Sequence, residues 1–167
     1  MPRSRIALAC LLALSAAPAL AQGPDIDKIN GSITAEAGQA YGDLETVNGS
    51  IRIESGATLE DAETVNGSIK AADRIQAESL GTVNGDITVG AGSHVRGGIL
   101  VEKPTGNSWF KMGKRKPPRI IVGPDARVDG PMVFEHEVKL YVHRTATVGD
   151  IRGATAIRYD GDRAPAD

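Results

Sequence analysis

The stretch Val47-Asn48-Gly49-Ser50-Ile51 decides the fold of this chain, because it returns three more times at a fixed spacing. The other copies are Ile29-Asn30-Gly31-Ser32-Ile33, Val65-Asn66-Gly67-Ser68-Ile69 and Val83-Asn84-Gly85-Asp86-Ile87, and successive Asn residues stand 18 residues apart. A constant period of this length is typical of stacked repeats. Eighteen residues would also make five helical turns. Asn and Gly are poor helix formers, however, and Asn-Gly is a strong turn signal, so we favour strands.

Apolar residues recur at the same period on both sides of the motif. When the repeats are aligned, equivalent apolar residues form columns. Between two of these columns apolar and polar residues alternate, as in Ile51-Arg52-Ile53 and Ile87-Thr88-Val89, and this alternation is typical of strands. We predict that five columns face inward. They are Ile29, Val47, Val65 and Val83; Ile33, Ile51, Ile69 and Ile87; Ala35, Ile53, Ala71 and Val89; Tyr41, Leu59, Ala77 and Val95; and Leu44, Ala62, Leu80 and Gly98.

These patterns predict an all-β, single-domain parallel β-solenoid with three faces and about six rungs of roughly 18 residues. Equivalent strands of successive rungs pair in parallel, and their inward side chains stack into one core. We expect Asn-Gly to form a tight corner, because both residues tolerate positive φ, and stacked Asn side chains to hydrogen-bond as a ladder. The predicted turn and ladder residues are Asn30, Gly31, Asn48, Gly49, Asn66, Gly67, Asn84 and Gly85.

The pattern continues with looser spacing in the second half of the chain. Residues 89–97 align with residues 122–130 and again with residues 142–150, and the last two copies stand 20 residues apart. An insertion at 102–119 interrupts the repeat and replaces one Asn-Gly corner. We therefore predict a solenoid over 22–159 and a flexible tail over 160–167.

This second half resembles the bactofilins, bacterial polymer-forming β-helix proteins. The resemblance is closest from Ile120 to Gly153, where the phrase Val-Gly-x-x-Ala-x-Val-x-Gly repeats, and it extends over about residues 25–158. It implies a three-faced β-helix that polymerises end to end without a nucleotide. Two features depart from the family. Bactofilins are typically cytoplasmic, whereas this chain begins with an export signal, and the regular Asn-Gly-Ser corner is closer to exported repeat proteins and adhesin-like β-helices.

The export signal occupies residues 1–21. Arg3 and Arg5 precede an apolar stretch, and Ala19-Leu20-Ala21 places small residues before a cut at Gln22, the three-part pattern of a cleaved signal peptide. We therefore expect the protein in the periplasm or cell envelope. Its single Cys would be removed with this segment. A formal net charge of −2 argues against nucleic-acid partners, which require a basic surface.

The insertion is the sharpest local feature, because it combines cations with aromatic residues. It contains the only Trp of the chain and no acid between Lys103 and Arg119. Such a segment is suited to a lipid headgroup, a cell-wall polymer or an acidic protein. Its aromatic residues would alternatively fold back on the solenoid while the charges stay solvated. The candidate interaction residues are Lys103, Trp109, Phe110, Lys111, Lys114, Arg115, Lys116 and Arg119.

No constellation of residues predicts catalysis, a cofactor or a metal site. His94, His136 and His143 fall in different columns, and we expect all three at the surface. We therefore predict a non-enzymatic scaffold of the bacterial envelope that self-associates through its open ends. The alternatives are a hexapeptide-type transferase or a carbohydrate-active β-helix enzyme, and an adhesin-like surface protein.

Overall fold

A computed structural model describes residues 23–104 and 116–166, which form strands and turns with no helix. The strands are short, and most have two to six residues. In chain order they are β1 (Ile26–Asn30), β2 (Ile33–Ala35), β3 (Leu44–Asn48), β4 (Ile51–Ile53), β5 (Asp61–Asn66), β6 (Ile69–Ala71), β7 (Gln76–Asn84), β8 (Ile87–Val89), β9 (His94–Val101), β10 (Arg119–Val122), β11 (Arg127–Val128), β12 (Met132–Phe134), β13 (Lys139–His143), β14 (Thr147–Val148), β15 (Ile151–Arg152) and β16 (Ala156–Tyr159).

All named strand pairs are parallel, and together they build a three-faced solenoid. The first face is a seven-stranded sheet in the order β16-β13-β10-β8-β6-β4-β2. The second face contains bridges at Thr58, the first residues of β7 and β9, and then β11 and β14. The third face contains β1, β3 and β5, the last residues of β7 and β9, and then β12 and β15.

The predicted fold class is confirmed, with about seven turns where the sequence indicated about six. The additional turn ends in β16, which pairs with β13. At roughly 4.8 Å per turn, seven turns make a rod about 34 Å long. The spacing of 18 residues holds in the first turns, where Ile33 pairs with Ile51 and Ile51 pairs with Ile69.

The core is the stack of inward residues from all three faces. Ile51, Ile69 and Ile87 on the first face are fully buried, as the alternating pattern predicted. The predicted columns through Ala35, Leu59 and Leu44 are inward too, although Tyr41 is only half-buried. Aliphatic side chains in register form this core, and few aromatic residues contribute to it.

The prediction that Ile29, Val47, Val65 and Val83 face inward is wrong. Ile29 is 74% exposed and Val47 36% exposed, and the other two are half-buried. The inward residues are the threonines that precede the three valines. Thr46, Thr64 and Thr82 are each 3% exposed, and their hydroxyls donate to the carbonyl oxygens of Gly31, Gly49 and Gly67 at 2.9–3.4 Å. These bonds satisfy both the buried hydroxyls and corner carbonyls of the preceding turn.

The predicted stacking of Gly98 below Leu80 is also displaced by one residue. A bulge between Ala77 and Ser79 shifts the register of β7 and β9, so that Ile99 lies opposite Leu80. Gly98 instead lies opposite Ser79 with a φ of 120°. The extra residue keeps an apolar side chain in the core at this level.

The Asn-Gly corners need Gly for a different reason from the one predicted. Positive φ occurs at Gly31, but not at Gly49, Gly67 or Gly85. A Cβ on these three glycines would lie only 1.8–2.1 Å from the carbonyl oxygen of the corresponding Gly one turn earlier. Close backbone approach between successive corners therefore excludes any side chain there.

Candidate functional site

The Asn-Gly corners place four Asn side chains one above another along an edge of the rod. Asn48 Nδ2 donates to Asn30 Oδ1 at 3.1 Å, Asn66 to Asn48 at 3.1 Å, and Asn84 to Asn66 at 3.2 Å. Beside this ladder, the Ser50 amide donates to Ser32 Oγ at 3.2 Å. Each turn thus adds the same polar contacts to the turn before it, and the ladder stabilises the corner.

The third face presents acidic side chains in two neighbouring columns. In one column Asp27 lies opposite Glu45, and Glu45 lies opposite Glu63. In the other, the amide of Asp43 donates to Asp25 Oδ1 at 3.0 Å. Like charges placed opposite each other across strands repel.

This crowding changes the acidity of the central carboxyl groups. Burial, followed by Asp61 and Glu45, raises the pKa of Glu63 to about 7. Burial and then Asp27 raise the pKa of Glu45 above its usual value. We did not predict this face as a surface feature, although the 18-residue spacing of Asp27, Glu45 and Glu63 was visible in the sequence.

The acidic column does not keep its sign along the rod. We call it the third-face column, and its members in order are Asp27, Glu45, Glu63, Gly81, Leu100, Val133 and Arg152. It begins with three acids, continues through residues without charge, and ends on Arg152 in the last turn. The two ends of the rod therefore carry opposite charges in the same column.

Described residues hold the base of the insertion at a corner. Val101 lies opposite Thr82, and the Arg119 amide donates to Asp86 Oδ1 at 2.8 Å. The insertion therefore occupies, one turn later, the position equivalent to the Asn84-Gly85 corner. The Lys103 amide donates to Glu135 Oε2 at 3.0 Å. Two flanks of the insertion are thus tied to neighbouring turns.

Only part of the predicted interaction segment can be located. Lys103, Lys116 and Arg119 are described, whereas Trp109, Phe110, Lys111, Lys114 and Arg115 lie outside the described residues. The Arg119 guanidinium lies 5.1 Å from the centre of the Tyr141 ring, a cation–π distance, and it donates to the Pro165 carbonyl at 2.5 Å. This contact connects the predicted tail to the first face.

The histidines do not all lie at the surface. His143 is 7% exposed, and its ring packs edge-on against Tyr159 with ring centres 5.1 Å apart. His94 Nε2 lies 2.6 Å from Asp129 Oδ2, and Arg127 also bonds to Asp129. These two hydrogen bonds lower the pKa of Asp129, that of Arg127 contributing more. The prediction of a surface position is therefore wrong for His143, which the extra last turn covers.

Both ends of the rod leave strand edges without a partner among the described residues. At the N-terminal end β1 pairs only with β3, and β2 only with β4. At the C-terminal end β14, β15 and β16 each pair with one strand. Near each end a tyrosine hydroxyl bonds to the backbone: the Glu36 amide donates to the Tyr41 hydroxyl at 2.9 Å, and the Tyr159 hydroxyl donates to the Val122 carbonyl at 3.3 Å.

The fold and these surfaces define a parallel β-solenoid with charged, open ends. Comparisons of the chain with protein-family models, curated proteins and solved structures find no match. Within residues 23–104 and 116–166, no group of three or more His, Cys, Asp or Glu side chains could hold a metal ion. The same part of the chain contains no helix that is long and apolar enough to cross a membrane. The resemblance to bactofilins stays a prediction from the sequence.

Proposed function

We propose that this protein is a non-enzymatic scaffold of the bacterial cell envelope that associates end to end. The observation that supports this proposal is the set of strands with one unpaired edge at each end of the rod. Unpaired backbone N–H and C=O groups are a template for further strands. A second copy offers strands of the same length, spacing and parallel direction, so it can continue the ladder.

The signal-peptide pattern of residues 1–21 supports the envelope location. To test this location, the full chain, including residues 1–21, is expressed in a bacterial host and the mass of the product is measured. A mature protein that begins at Gln22 and is recovered from the periplasm is expected. A full-length mass in the cytoplasm would contradict the location.

The association is tested by light scattering of that processed protein over a range of concentrations. We expect the mean mass to grow with concentration, because addition of each copy leaves a new open end. A mass of one chain at all concentrations would contradict end-to-end association.

A second candidate function is binding of an anionic envelope partner by the insertion at 102–119. Its support is the fixed base, in which Glu135 accepts from the Lys103 amide and Asp86 accepts from the Arg119 amide. A segment anchored at both flanks can present its cations and aromatic residues away from the rod. In this arrangement the solenoid acts as a rigid support.

The test replaces Trp109 and Phe110 together by Ala and uses vesicles of phosphatidylglycerol as the anionic probe. We expect at least a tenfold weaker affinity for the vesicles with an unchanged melting temperature. Unchanged binding with a lower melting temperature would show that these side chains pack on the solenoid. Vesicles of phosphatidylcholine serve as the uncharged control.

A further inference from the structure

We infer that the end-to-end contact has a direction, in which the last turn of one copy docks on the first turn of the next, with Arg152 beside Asp27 of the next copy. This inference rests on the proposed end-to-end association and adds its polarity. The ligand of each end is thus the opposite end of a second copy.

The third-face column supplies the first argument. Within one copy, neighbours in this column lie on paired parallel strands, about 4.8 Å apart. Arg152 pairs with Val133 on one side, and its strand has no described partner on the other side. If β1 of a second copy continues the sheet in the same register, Asp27 takes the next place in the column. The pairing of opposite charges directly across two strands is favourable.

These two charges have no other side-chain partner in the part of the chain that the structure describes. Neither the Asp27 carboxylate nor the Arg152 guanidinium makes a side-chain hydrogen bond or ion pair within residues 23–104 and 116–166, and both residues are exposed. The other arginines of the last turn are engaged. Arg144 lies 3.0 Å from Asp160, and Arg158 donates to the carbonyl oxygens of His143 and Ala146. Arg152 is therefore the arginine of this turn that a second copy can use.

The two terminal turns as a whole also differ in charge. The first turn has three acids, Asp25, Asp27 and Glu36, and one cation, Lys28. The last turn, over 144–160, has three arginines and two aspartates. Contacts between two first turns or between two last turns would place like charges together, which costs free energy, whereas first-to-last contacts join opposite charges.

The direction also agrees with backbone pairing. Every named strand pair in this solenoid is parallel, and a first-to-last contact continues that arrangement. A symmetric contact between two equal ends would need antiparallel pairing. A cation beside Asp27 would in addition reduce the repulsion along Asp27, Glu45 and Glu63.

The test compares Asp27→Arg, Arg152→Glu and the double variant with the unmodified full chain, each processed in the host. Light scattering gives the concentration at half-assembly, and circular dichroism checks the fold. Each single variant should raise that concentration at least tenfold, because equal charges then meet at the contact. The double variant restores opposite charges and should return to within about threefold of the unmodified protein. Lys70→Glu is the matched control, since Lys70 is exposed on the first face in β6, the third strand from one end of that sheet and the fifth from the other.

The outcomes separate the direction from the association itself. If the unmodified chain assembles and both single variants assemble equally well, or the double variant stays impaired, the first-to-last direction is wrong while end-to-end association stands. A double variant that is impaired more than either single variant would indicate contacts between equal ends. If the unmodified chain does not assemble, both proposals fail.

Discussion

The first four turns and the last three turns of this solenoid are stabilised in different ways. In the first four, the same contact recurs at each level, as in the Asn ladder from Asn30 to Asn84. In the last three, the side-chain contacts are individual. The Asp125 amide donates to Thr145 Oγ1 at 2.8 Å, and the Tyr159 hydroxyl donates to the Val122 carbonyl at 3.3 Å.

Repetition in the sequence thus corresponds to repetition in the bonding. Where the period is constant, identical residues meet and form ladders, and the stability is approximately a sum over neighbouring turns. Where the insertion and the corner at Glu135 change the period, unlike residues meet. Each level then needs contacts of its own, and these include the cover that Tyr159 gives to His143.

The largest effect should come from a side chain added where the backbones of successive corners are in close contact. In Gly67→Ala the new Cβ would lie 1.9 Å from the Gly49 carbonyl oxygen, so the two turns must separate. We expect a loss of about 3 kcal/mol in the free energy of unfolding, measured with urea. The matched control is Gly38→Ala, because a Cβ at Gly38 would meet open space and only the φ of 69° would cause strain. We expect this variant to lose about 1 kcal/mol in the free energy of unfolding. Equal losses would contradict the close-approach explanation.

A smaller effect should follow from interruption of the Asn ladder. Asn66→Ala removes two ladder bonds, one to Asn48 and one from Asn84, and we expect it to cost about 2 kcal/mol. Asn30→Ala removes only the bond from Asn48 and should cost about half as much. Urea unfolding of both variants gives the comparison. If Asn66→Ala is no more destabilising than Asn30→Ala, the ladder does not stabilise the rod level by level.

The acidic column should make the first turns sensitive to pH. The pKa of Glu63 is about 7 in the folded protein against a usual value of 4.5. Between pH 4.5 and 7, the folded protein therefore keeps a proton on this carboxyl group that the unfolded protein has lost. Stability should therefore fall as the pH rises from 4.5 to 7 and change little from this group above 7. Solvent screening of this partly buried group limits the loss to about 1 kcal/mol.

The variant Glu63→Gln tests this assignment through melting temperatures at pH 5 and pH 8. It should be more stable than the unmodified protein at pH 8, and its melting temperature should differ less between pH 5 and pH 8. An unchanged slope in the variant would assign the effect to other groups.

The smallest effect is expected from a single contact of the last turns. Tyr159→Phe removes only the hydroxyl that donates to the Val122 carbonyl and keeps the ring against His143. We expect about 0.5–1 kcal/mol in urea unfolding. If Tyr159→Phe costs as much as Asn66→Ala, the single hydroxyl bond contributes as much stability as two ladder bonds. That result would contradict the expectation that the ladder bonds matter more.

Much of the fold could be predicted because a strict period aligns residues without knowledge of distances. The columns through Ile33, Ala35 and Leu44 follow from spacing and alternation alone. The wrong inward placement of Val47, Val65 and Val83 has a physical cause. Alternation runs from Leu44 through Thr46, and a buried threonine whose hydroxyl bonds to a corner carbonyl takes the inward place before the corner.

The surfaces were harder to predict, because they depend on register in the irregular half. The bulge at Ala77 and the insertion at 102–119 alter the spacing, so no fixed period assigns Arg152 to the column that begins with Asp27. The acids of the first turns could have been aligned at 18 residues. Their partner at the other end became visible only when the strand pairs were known.

Fibre diffraction of the assembled protein shows whether the chain is a solenoid that continues from copy to copy. The strands lie across the rod, so we predict a reflection near 4.8 Å along the fibre axis together with a subunit repeat of about 34 Å, seven turns at that spacing. A 4.8 Å spacing perpendicular to the fibre axis, or the absence of any ordered fibre at concentrations that saturate assembly, would contradict the account.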